Sequence, residues 1–137
     1  MAIFSLQTLG RWIIAVAVLA VTASQAGAQE LSKAEREKRH VVNRMVELMA
    51  IGKYDCQNAS ATEWNSTREK LRAANPEFFR LLEASVYFRQ AQETALAGQS
   101  AQVPDPGKCE FALGMFKALL EPEGQKEMHK YRTLLEK

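Results

Sequence analysis

The stretch PEFFRLLEASVYFRQAQETALA, Pro76–Ala97, decides how this chain is read. Asn75-Pro76-Glu77 opens it as a helix, with Asn as N-cap, Pro in the first turn and Glu at the positive end of the dipole. Gly98 follows it, where a left-handed residue is wanted after a helix. At about 100° per residue, Phe78, Phe79, Leu81, Leu82, Val86 and Phe88 cover roughly half the circumference, wider than the stripe of a surface helix. One helix over 76–97 is therefore expected, touching at least two neighbours. Arg89, Gln90, Gln92 and Glu93 should carry its second half into solvent.

Working outward toward the N-terminus, Ser60-Ala61-Thr62-Glu63 forms a capping box that starts a shorter helix ending near Ala74. Only Trp64, Thr67, Leu71 and Ala74 line its inner side, so it should be peripheral. Lys53–Ala59 connects it to a helix that starts at a second capping box, Ser32-Lys33-Ala34-Glu35, and stops at Gly52. Val41, Val42, Met45, Val46, Leu48 and Met49 gather on one side of that helix. Its first turns mix charges of both signs, which makes them a solvated end rather than a basic patch.

Toward the C-terminus, Gly98–Gly107 is a loop rich in breakers. Asp105-Pro106 then starts a largely buried helix through Cys109, Phe111, Leu113, Phe116 and Leu119. Glu121-Pro122-Glu123-Gly124 breaks the chain before a last amphipathic helix, Gln125–Lys137. No strand-like alternation or repeat is present. The expected fold is all-α, a small bundle of five helices.

The first 28 residues read differently. Arg11 precedes the apolar run Trp12–Val21, and Ala26-Gly27-Ala28 closes a small-residue segment before Gln29. That is the pattern of a secretory signal peptide, with cleavage expected between Ala28 and Gln29. The run is about half the ~20 residues a bilayer span needs, and nothing later is longer. The remaining chain, 29–137, is expected to be a single helical domain without a membrane span, periplasmic in a Gram-negative source and secreted otherwise. Without Arg11 it holds 17 Lys and Arg against 16 Asp and Glu. That balance gives no reason to expect nucleic acid as a partner.

Both cysteines lie in the exported part. Cys56 and Cys109 are expected to pair, because an even count in an oxidising compartment reads as a disulfide and the spacing is unlike C-x-x-C. The bond would close a loop of roughly fifty residues, a stabilisation of about 4 kcal/mol in the chain-entropy picture.

Catalytic signatures are missing: no G-x-S-x-G, H-E-x-x-H, P-loop or dinucleotide fingerprint occurs. His40 and His129 both lie away from the apolar faces of their helices and read as solvent-facing. Met45, Met49, Met115 and Met128 sit among Val, Leu and Phe at helical spacing and read as core filler rather than a soft-metal site. Asn58 and Asn65 match the N-glycosylation pattern, which matters only in a eukaryotic secretory pathway. His129-Lys130-Tyr131-Arg132 is similar to the C-terminal His-x-x-Tyr-Arg of the cytochrome b562 type of haem protein. That resemblance implies a Met and a His ligating iron from a bundle core. The match departs by one residue, and the disulfide is foreign to that family.

No catalytic, cofactor or metal residue is therefore nominated. The function expected is non-enzymatic: an accessory, inhibitor or effector that binds another exported or envelope protein. Two alternatives follow from the same features. One is a periplasmic stress chaperone, because small helical proteins with one disulfide resemble in architecture the acid-resistance chaperones of enteric bacteria. The other is a carrier of a small ligand or haem in a pocket between helices. A protein-binding chain should expose an apolar patch, expected near the Trp64 helix or the Gly98–Gly107 loop.

Overall fold

The computed structural model describes residues 31–99 and 103–137. The expected signal peptide and its cleavage site at Ala28 and Gln29 lie outside the described residues. Those residues form six helices and no strand: α1 (Lys33–Asp55), α2 (Ala59–Ala74), α3 (Pro76–Ala84), α4 (Phe88–Gln99), α5 (Pro106–Leu120) and α6 (Pro122–Glu136). Among the described residues the fold is all-α, with six helices rather than the five expected.

The extra helix comes from a break inside Pro76–Ala97. Ser85 takes extended φ/ψ angles (−65°, 141°) and ends α3. Its hydroxyl accepts the Tyr87 N–H at 3.3 Å and its carbonyl accepts the Phe88 N–H at 3.1 Å, so Ser85 starts α4 as it ends α3. This is local competition by a serine hydroxyl for backbone donors. The break turns Val86 outward, 85% exposed, where a continuous helix would have buried it.

The organising element is α1, not the 76–97 stretch: it packs against α2, α4, α5 and α6. Its apolar side supplies Val42, Met45, Val46 and Leu48 to the core. It also runs past Gly52 to Asp55. Gly52 does not stop the helix because it is needed as a contact surface. A Cβ there would lie 2.0 Å from the Trp64 ring, so only a hydrogen lets α2 lay its indole on α1. Trp64 is 2% exposed and stacks at 4.7 Å and 38° on Phe116 of α5.

The other junctions are set by polar groups. Asn75 does not cap α3 with its side chain; its Nδ2 instead donates to Leu71 O at 3.0 Å and closes α2. Asp105 does cap α5, accepting the Gly107 N–H at 2.9 Å. Ser60 lies inside α2 rather than capping it, and its hydroxyl bonds back to Gln57. α6 begins at Pro122, three residues earlier than the expected start at Gln125. Gly124 allows this: a Cβ there would sit 2.0 Å from Ala118 O.

Cys56 and Cys109 are joined, with Cα atoms 4.9 Å apart. Beside the bond, Asp55 is 4% exposed, and its Oδ1 accepts the Asp105 N–H at 3.0 Å. The end of α1 and the start of α5 are thus held by one covalent bond and one hydrogen bond, with a carboxylate near the positive end of α5.

Two outcomes follow. Cys56→Ser with Cys109→Ser lowers the unfolding free energy by about 2–4 kcal/mol in urea titration, and midpoints equal to the oxidised protein would overturn the assignment. Gly52→Ala, despite the better helix propensity of alanine, costs about 1–3 kcal/mol and changes the Trp fluorescence, because the indole must lift.

Candidate functional site

α2 and α4 each rest on α1 and leave a groove of about 760 Å³ between them. The break at Ser85 creates it by ending α3 and letting α4 pack along α1. Val46, Met49 and Tyr54 of α1 form its base, and Phe88 and Leu96 line the α4 side. Leu96 is 52% exposed. The groove opens to solvent, and among the described residues its lining contains no histidine, cysteine or serine.

Charge in this groove is unequal. Lys53, Arg68, Arg72 and Arg89 line it against Glu83 and Glu93. Glu83 pairs with Arg72 at 2.7 Å, and Glu93 with Arg89 at 3.2 Å. Arg72 also lies over the Phe79 ring at 5.0 Å, which fixes one guanidinium in place. Lys53 lies 5.6 Å from the centre of the Tyr54 ring. Among the described residues neither Lys53 nor Arg68 has an ion pair.

On the other side of α4 is a second groove of about 460 Å³, lined by Arg39, Asn43, Glu47, Tyr87 and Lys108 among others. α4 is thus a ridge between two grooves, and Ala91 is its one fully buried residue. A clasp holds its start: the Tyr87 hydroxyl donates to Glu35 Oε2 at 2.5 Å, tying the α3–α4 break to the first turn of α1. This bond holds the Glu35 carboxyl below the usual carboxylate range, helped by Lys38 and opposed by partial burial. The same bond, with burial, raises the Tyr87 hydroxyl above its ordinary value.

Of the residues singled out in the sequence, Cys56 and Cys109 meet. His40 and His129 are exposed on different helices, with His129 Nδ1 2.9 Å from Arg132. Met45 and Met128 are buried in the core, and Met49 and Met115 pack partly against it. Asn58 and Asn65 are exposed, and Asn58 takes a positive φ of 57° just before α2. No group of three or more His, Cys, Asp or Glu among the described residues could hold a metal ion. Trp64 is part of the core rather than of an exposed patch. Phe111, expected inside α5, is 47% exposed beneath the Arg44 guanidinium at 5.5 Å. The groove between α2 and α4 was invisible because a continuous helix over 76–97 contains no such wall.

Compared with known protein families, curated proteins and solved structures, the chain matches none.

The clasp gives a pH-dependent outcome. A lowered Glu35 value means stability that is present above the ordinary glutamate value and lost as pH falls through the folded one. A raised Tyr87 value means stability that is present below the ordinary tyrosine value and lost as pH rises through the folded one. Tyr87→Phe is therefore less stable than wild type near neutrality. The deficit closes below the carboxylate range, as measured by thermal midpoints from pH 2 to 8; a pH-independent deficit would assign Tyr87 a packing role instead.

Proposed function

We propose that this protein is exported, is cleaved between Ala28 and Gln29, and works without catalysis by binding another exported or envelope protein. The observation that carries the reading is the groove between α2 and α4, where apolar side chains and two cations without ion pairs face solvent together. Half-exposed Leu96 and partly exposed Phe88 give such a surface the apolar centre that binding sites use, and the arginines give it a polar rim. A closed disulfide fits a non-cytoplasmic environment and a chain that must keep its shape there.

The test is site-specific photocrosslinking in the native host. A photoreactive residue in place of Leu96 should yield one discrete protein adduct, on material whose N-terminal residue is Gln29. The same group in place of Lys130, exposed on α6, should yield none. Equal adduct patterns from both positions would remove the groove from the reading.

A further inference from the structure

We infer that the occupant of the groove between α2 and α4 is an acidic amphipathic helix from the partner protein; this rests on the protein-binding reading and specifies its chemistry. The walls of the groove are helices, whose backbone hydrogen bonds are internal, so no sheet edge is available to take an added strand. Laying a helix into the groove is the recognition mode that its apolar strip between two helices fits. Phe88 and Leu96 are eight residues apart on α4, about 12 Å at the rise of an α-helix. That distance suits apolar side chains at i, i+4 and i+7 of an incoming helix, with Met49 beneath them.

The sign of the partner follows from charge. Both carboxylates in the groove are already paired, Glu83 with Arg72 and Glu93 with Arg89. Lys53 on the α1 base and partly buried Arg68 on the α2 wall remain. An incoming helix with leucines toward α4 and carboxylates turned to Lys53 and Arg68 answers both cations and buries the apolar strip. A basic helix would set its charges against Lys53 and Arg68 as a third element closed over them, which is disfavoured. A fatty acid brings one negative charge where the groove presents two cations, so a face of several carboxylates is the better electrostatic match.

The experiment uses the disulfide-bonded exported protein and two fluorescein-labelled 18-residue peptides. The peptides share leucines at i, i+4 and i+7 and differ in a polar face of Glu or of Lys; binding is read by anisotropy. The acidic peptide should bind at least about tenfold more tightly than the basic one, and more weakly as salt rises from 50 to 500 mM. Lys53→Glu with Arg68→Glu should abolish or reverse the preference, Arg68→Lys should retain most of it, and Leu96→Asp should weaken both peptides. Unchanged circular dichroism of these surface variants separates lost binding from lost folding.

Equal or tighter binding of the basic peptide, still sensitive to Leu96→Asp, would overturn the acidic partner while leaving a protein-binding groove. No binding of either peptide, or binding indifferent to Leu96→Asp, would overturn both. Displacement of the acidic peptide by laurate at stoichiometric concentration would assign the groove to a small amphiphile instead and overturn the inference.

Discussion

Trp64 rests on the backbone of Gly52, and the arrangement of the bundle depends on that contact. Burying an aromatic ring of this size removes about 150–250 Å² from water, roughly 4–6 kcal/mol before the cost of ordering the chain. The indole Nε1 has no hydrogen-bond partner among the described residues, a penalty of about 1–3 kcal/mol. Burial is the larger effect, so the ring stays inside and takes α2 with it. With the indole also stacked on Phe116, one side chain sets the relation of α1, α2 and α5. The disulfide lies one turn beyond Gly52 and locks an approach that packing has already chosen.

The contrast with α4 is instructive. α2 is anchored by a buried tryptophan and leucine, whereas α4 buries a single alanine and is held at its start by the Tyr87–Glu35 clasp. Its small residues let it lie on α1 without filling the space on either side. Grooves are what remain when a thin helix lies along a long one. The polar equipment of the groove comes from residues that a stability argument would ignore, since exposed ion pairs such as Arg89–Glu93 contribute little on their own. Their effect is to occupy the local carboxylates, and so to set the sign of the charge left over.

Much of the fold was legible in the sequence because its punctuation is proline-based. Asn75-Pro76 and Asp105-Pro106 start helices where read, Cys56 meets Cys109, and the core faces of α1, α2 and α5 are largely as the wheel places them. Two kinds of information were not legible. Ser85 breaks a helix with neither glycine nor proline, while Val86 and Phe88 keep the apolar period running through the break. The hydroxyl bond that decides the matter is local and costs the pattern nothing. Gly52 has the composition of a helix stop, but its meaning depends on Trp64, twelve residues away and on another helix. The groove inherits both errors: its far wall exists only because of Ser85, and its near wall stands where it does because of Gly52. Helical propensity reports where turns form, not how far apart two helices come to rest.

The position of the disulfide has a consequence for durability. Val86 and Val103, the two most exposed of the large apolar residues described, both fall between Cys56 and Cys109 in the chain. Proteases favour such tips. A single cut at either place leaves both fragments attached through sulfur, so the clipped molecule keeps its parts at high effective concentration. Gel mobility would reveal the cut only after reduction. The loop that supplies the α2 and α4 walls of the groove is therefore the part of the chain that can be nicked without being shed.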